Sequence, residues 1–166
     1  EVYTIPHLTK DSIRLKAGVH NTIELDAGQG ELTVNVNGAN GKFPGMKILI
    51  KNPEDNEIIH VQNMNTSTEL LIGEYDLEIL TLPRLKFDRV KINQSKRTTI
   101  EIRQPGNLNI LYPATGYGCI YLLEGDKQEW VCPLQAKELM EQFVLQPGKY
   151  KLIYRSDRSR RAAYTV

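Results

Sequence analysis

Residues 1–25 recur at 78–102, and this internal repeat limits what the chain can fold into more than any single motif does. Glu1-Val-Tyr-Thr-Ile-Pro-His-Leu8 lies over Glu78-Ile-Leu-Thr-Leu-Pro-Arg-Leu85. Asp11 lies over Asp88, Ile13 over Val90, Leu15 over Ile92, and Thr22-Ile-Glu24 over Thr99-Ile-Glu101, at a constant spacing of 77 with no gap. A period of this size is too long for a solenoid repeat and suits a small β domain.

The second copy continues further along the chain. Gly30-Glu-Leu-Thr-Val34 matches Gly106-Asn-Leu-Asn-Ile110 after a slip of one residue. Met46–Lys51 loosely matches Cys119–Glu124, and Glu57-Ile-Ile59 matches Glu129-Trp-Val131. Gly73-Glu-Tyr-Asp-Leu-Glu-Ile79 matches Gly148-Lys-Tyr-Lys-Leu-Ile-Tyr154, and Ala162–Val166 falls near Phe87–Val90. The chain therefore reads as a tail, a whole unit and an incomplete unit, as in a fragment of a longer protein. The expected domains are 1–26, the tail of a preceding repeat or a strand-donating segment; 27–103, a first β-sandwich repeat; and 104–166, a second repeat that lacks its last strands.

The local pattern is that of strands. Thr33-Val-Asn-Val-Asn37, Tyr75–Ile79, Phe87–Ile92 and Thr98–Ile102 alternate apolar and polar residues, the mark of strands with one buried face. Gly, Pro and Asn punctuate them at Asn52-Pro53, Gly73, Gln104-Pro-Gly106 and Gln146-Pro-Gly148. The expected fold class is all-β, with tandem small β-sandwich units of immunoglobulin-like or prealbumin-like type. One stretch, Leu134–Phe143, is rich in helix formers behind Pro133, and a short helical excursion is expected there.

Composition excludes some function classes. A net charge of +1 gives no field that would favour nucleic acid. No apolar run reaches the roughly 18 residues of a membrane span, so no direct membrane insertion is expected. His7, His20 and His60 have no metal-ligand spacing, and no nucleophile motif or phosphate loop is present. The chain is expected to be no enzyme, with neither metal nor cofactor.

Features that the two copies do not share cluster in the second unit. A two-residue turn at Gly125-Asp126 would set Tyr121 opposite Trp130 and Cys119 opposite Cys132, within reach of a disulfide. The alternatives are two buried free thiols, or one thiol on each face of the sheet. Aromatics gather at Tyr112, Tyr117, Tyr121, Trp130, Tyr150, Tyr154 and Tyr164, and stacking on such rings is a usual way to hold a sugar. Tyr117 and Trp130 are the ligand candidates, although the Tyr121–Trp130 pair reads more simply as core. The basic run Arg155–Arg161, with Arg158, Arg160 and Arg161, is either a polar connection or a site for an anionic ligand.

The two "Gly-x-Tyr-x-Leu" segments at Gly73 and Gly148, the leading strands Leu32–Val36 and Leu108–Leu111, and the Thr98–Ile102 strand resemble small β-sandwich modules of the transthyretin-like, carboxypeptidase-regulatory-like and PEGA type. More narrowly, Glu129-Trp130, Gln146-Pro-Gly-Lys-Tyr150 and the charged stretch before Tyr164-Thr165 resemble the C-terminal β repeats behind von Willebrand factor type A domains in envelope proteins of Bacteroides-like bacteria. The chain carries neither the A domain nor its metal-ion adhesion motif. The resemblance implies an exported accessory module, at the cell surface, in the periplasm or secreted, and brings no catalytic residue. The expected function is a non-catalytic structural or protein-interaction module beside an adhesion-type domain, with a carbohydrate-binding module as the alternative. The expected partner is a protein or a neighbouring domain, with a glycan as the other candidate. Residues 1–25 are expected to pair with a sheet edge, in the same chain or by strand exchange with another.

Overall fold

The structure, a computed structural model, describes residues 4–37, 46–135 and 137–157, and the backbone of 164–165. It is all-β, and no helix occurs among the described residues. Among the described residues no helix is therefore long and apolar enough to cross a membrane. The chain forms two compact units. The first takes Glu1–Val36, Lys42–Ile79 and Lys86–Ile102; the second takes Asn37–Gly41, Leu80–Leu85 and Arg103–Val166. The chain thus enters the second unit at Leu80–Leu85 and returns to the first at Lys86.

The first unit is a sandwich of two sheets. Strands β1 (Gln29–Val36), β4 (Ser67–Leu71) and β7 (Arg97–Ile102) form one, in the order β4-β1-β7. Strands β2 (Lys47–Lys51), β3 (Ile58–Asn63), β5 (Gly73–Ile79) and β6 (Leu85–Ile92) form the other, in the order β3-β2-β5-β6. β4 runs antiparallel to β1, and β7 runs parallel to it on the other side. Period-two burial follows the sequence pattern: Leu32, Val34 and Val36 of β1, Ile48 and Ile50 of β2, Leu77 and Ile79 of β5, and Ile102 of β7 point inward and are buried.

The second unit repeats this arrangement through its first six members. β8 (Gly106–Leu111) pairs with β11 (Met140–Leu145), while β9 (Gly116–Glu124), β10 (Lys127–Leu134), β12 (Lys149–Ser156) and β13 (Tyr164–Thr165) form a sheet in the order β10-β9-β12-β13. Position by position, β8 to β13 stand for β1 to β6. Among the described residues no strand stands for β7. The core gathers Tyr112, Ile120, Val131, Cys132, Leu134, Leu145 and Tyr154. The Tyr154 hydroxyl donates to the Ala114 carbonyl at 2.5 Å, and its ring lies 5.1 Å from that of Tyr112.

The repeat extends to individual hydrogen bonds. The Tyr75 hydroxyl donates to the Leu71 carbonyl at 2.9 Å, and the Tyr150 hydroxyl donates to the Gln146 carbonyl at 2.6 Å. The amides of those same two residues donate to the preceding copy's loop: Leu71 N–H to Ile5 O at 2.8 Å, and Gln146 N–H to Leu82 O at 2.7 Å. Thr4 and Thr81, one residue earlier in each loop, are both buried. "Thr-Ile/Leu-Pro" and "Gly-x-Tyr" are thus two halves of one clasp, and it closes in each unit.

Two expectations are corrected here. The stretch Leu134–Phe143 is no helix. β10 ends at Leu134 and β11 begins at Met140, with Glu141 and Phe143 half-buried and Leu145 buried on one side of β11. Two-sheet packing of that face outweighs helix propensity. The loose match of Met46–Lys51 to Cys119–Glu124 is displaced by three residues. Ile50 pairs with Leu77, and Ile120 pairs with Leu152, so Ile50 and Ile120 hold the same place in the two units.

Candidate functional site

Among the described residues the second unit presents a sheet edge at β8. β11 takes one side of β8, and nothing among the described residues takes the side that β7 occupies on β1. The edge strand Gly106-Asn-Leu-Asn-Ile-Leu111 carries none of the usual guards, neither charge nor proline nor bulge. Leu108 and Ile110 are only half-buried, although their counterparts Leu32 and Val34 are fully buried. Leu111 is 77% exposed. Beside this edge lies an apolar groove of about 230 Å³ lined by Ile110, Leu111, Tyr112, Pro113, Leu134, Leu152 and Tyr154. In the first unit Ile102 closes the corresponding side and is buried.

The glycines of the two leading strands report the same difference. A Cβ on Gly30 would run into the Asn93 carbonyl oxygen and approach Ile92 Cγ2 at 2.9 Å. A Cβ on its counterpart Gly106 would meet nothing within 4 Å.

The segment that repeats β6 and β7 carries apolar side chains that its own unit does not cover. Residues 7–26 hold no strand. Leu15 is 72% exposed where its counterpart Ile92 is 3%, and Leu25 is 55% exposed where Ile102 is 3%. The hairpin shape survives, because Asn21 accepts from Lys16 N–H at 3.0 Å and donates to the Lys16 and Val19 carbonyls at 3.0 Å each. Lys10 Nζ reaches the Glu24 carbonyl at 3.1 Å.

The cysteines do not face one another. The register holds as expected from Glu124–Lys127 to Tyr121–Trp130, and then a bulge at Val131 moves Cys132 opposite Ile120 and Pro133 opposite Cys119. The first unit has the matching bulge at Ile59, between Ile50–His60 and Lys51–Ile58. An extra residue on one strand offsets every later pair. Cys132 therefore points into the core with Ile120, Cys119 points to the other face, and both thiols are free. Burial pushes the Cys132 thiol above its ordinary range, with the Glu141 carboxylate and Cys119 adding to it. Two thiols are expected to titrate in the unfolded, unreduced protein, and Cys119 is expected to be alkylated well before Cys132 in the folded one. Mass spectrometry of partly labelled protein checks this, and a disulfide-linked peptide would contradict it.

Trp130 is not a core residue. The same alternation that buries Ile120 turns Tyr121 outward, and Trp130, paired with Tyr121 ahead of the bulge, is 56% exposed. Tyr117 shares that outer face, four residues from Tyr121 on β9, and is also exposed. Beside them Lys151 pairs with Tyr121, and its ammonium reaches Gln128 at 3.3 Å. Arg158, Arg160 and Arg161 lie outside the described residues, so the basic run is placed only at Arg155, opposite Tyr117. Tyr112, by contrast, is core: its hydroxyl donates to Glu141 at 2.7 Å, and burial first, then that carboxylate, push the phenol upward. Among the described residues no group of three or more His, Cys, Asp or Glu side chains could hold a metal ion. The groove beside β8 had no signature of its own in the sequence.

Comparison with models of known protein families, with curated proteins and with solved structures finds no match to this chain.

Proposed function

We propose that this chain is a non-catalytic structural and protein-interaction module, built from transthyretin-like sandwich repeats, of an exported cell-envelope protein. The observation that carries the reading is the twofold clasp, Tyr75–Leu71–Ile5 in one unit and Tyr150–Gln146–Leu82 in the other. The residues common to both copies hold loops and strands together, as a duplicated scaffold requires. The placement in the envelope rests on the Glu129-Trp130 and Gln146-Pro-Gly-Lys-Tyr150 resemblance, as does the accessory role beside an adhesion-type domain. Fractionation of the source cells tests it: the protein is expected in the envelope fraction and open to protease added outside. Recovery in the cytosol alone would end the reading.

A second reading, a glycan-binding module, is favoured by the outward Tyr117, Tyr121 and Trp130. An exposed aromatic row can stack on the apolar faces of sugar rings. Trp130→Ala is expected to abolish any saturable signal on a glycan array while leaving the thermal midpoint in place. Such a loss would displace the scaffold reading, and a wild-type array without signal would remove the glycan reading.

A further inference from the structure

We propose that the outer face of the β10-β9-β12 sheet binds an acidic glycan, whose sugar rings stack on Tyr121 and Trp130 while its carboxylate or sulfate groups meet Lys149 and Lys151. The inference rests on the glycan-binding reading and names the ligand class.

Strand pairing defines the face. Tyr121 pairs with Trp130 on one side and with Lys151 on the other. Ile120 is the buried member of β9, so Tyr117, Cys119, Tyr121 and Leu123 turn outward. Their partners on β12 are Arg155, Ile153, Lys151 and Lys149. Neighbouring strands lie about 5 Å apart, which sets Tyr121 and Trp130 side by side, and Tyr117 lies about 13 Å along β9 from Tyr121. An aromatic row of that length outreaches a single sugar ring and suits an oligosaccharide.

The first unit shows what the same positions carry when their charges are answered internally. Lys51 stands where Tyr121 stands, and Glu74, Asp76 and Glu78 stand where Lys149, Lys151 and Ile153 stand. Lys51 Nζ reaches Glu78 at 2.5 Å, Glu74 takes Arg89 at 3.0 Å and Lys91 at 3.4 Å, and Asp76 accepts from Arg89 N–H at 2.7 Å. In the second unit the acidic strand has become basic, and the lysine opposite it has become a tyrosine. None of the described outward positions on β9, β10 and β12 holds a carboxylate. Glu129 pairs with Leu122, on the core side of the sheet. Lys151 meets a neutral group, Gln128, at 3.3 Å. Lys149 is exposed and has no ion pair among the described residues. Charge and aromatic surface on this face are thus both left for a ligand.

The position within the sheet favours a sugar over a peptide. β9 lies between β10 and β12, so its backbone groups are spent on the two ladders. No peptide can add to it as a strand, and a ligand there is held by side chains alone. A sugar ring lays its apolar face on an aromatic ring and leaves its anion for the lysine alongside.

The full chain is applied to an array of neutral, uronate-bearing and sulfated glycans. Saturable signal is expected on the anionic ones, falling as salt rises. The strongest binder is then titrated by calorimetry. Lys149→Glu/Lys151→Asp, which restores the charges of Glu74 and Asp76, is expected to weaken it about a hundredfold. Lys149→Arg/Lys151→Arg is expected to retain it. So is Lys127→Glu/Lys137→Glu, the same change of net charge at exposed positions off the face. All three variants are expected to keep the wild-type melting temperature. Equal binding of neutral and acidic glycans overturns the proposal and leaves the glycan reading standing, whereas no saturable signal on any glycan ends both. Affinity that survives Lys149→Glu/Lys151→Asp, or falls as far in Lys127→Glu/Lys137→Glu, also overturns it. So does equal affinity for polyglutamate or for phosphatidylserine vesicles, which would assign the face to an acidic protein or to a membrane.

Discussion

Replacing Gly30 by valine is expected to destabilise the first unit by roughly 3 kcal/mol, whereas Gly106→Val is expected to leave the second unit within about 0.5 kcal/mol of wild type. The two glycines hold the same place in the repeat. At Gly30 the turn between β6 and β7 presses on the strand. Ser95 N–H donates to the Gln29 carbonyl at 2.8 Å, and Glu31 N–H donates to Lys96 O at 2.9 Å. A side chain there meets the Asn93 carbonyl and, at 3.0 Å, that of Lys96. Both belong to backbone that these hydrogen bonds hold in place, so the clash cannot be relieved by a rotamer change. No such turn covers Gly106. Urea unfolding followed by circular dichroism measures both variants, and equal losses at the two positions would contradict the open edge.

Leu32→Ala is expected to cost about 3 kcal/mol and its counterpart Leu108→Ala about 1 kcal/mol. Both remove the same atoms from the same strand position. Leu32 is fully buried between two sheets, with β4 and β7 on either side of its strand. A cavity left there has nowhere to collapse. Leu108 is half-buried on a strand flanked, among the described residues, by β11 alone, and water and neighbouring side chains can close over the gap. Urea unfolding of the two variants beside wild type measures the difference, and equal losses would contradict it.

The sandwich class was legible because its signal is local: period-two alternation and turn residues specify strands without reference to their neighbours. The repeat was legible for the same reason, and it carried the strand inventory of one unit onto the other. The stretch at 134–143 was misread because its composition favours a helix, while the burial of Leu134 and Leu145 favours two strands. The cysteine pair was misread by one residue. A bulge at Val131 leaves no mark in the alternation of a run as apolar as Trp130-Val-Cys132, yet it decides which face each thiol takes. Trp130 fell on the outer face through the same counting, since Ile120 rather than Tyr121 had to be the buried member of β9.

By itself the sequence determined the all-β class and the two-unit repeat. Only the tertiary structure decided that Ile110, Tyr112, Leu134 and Leu152 line an apolar groove, and that the repeated Thr, Pro, Gly and Tyr residues close one clasp. Alternation tells a residue which side of its own strand it lies on. Which strand lies next to it, and whether any does, is set by contacts between residues far apart in the chain.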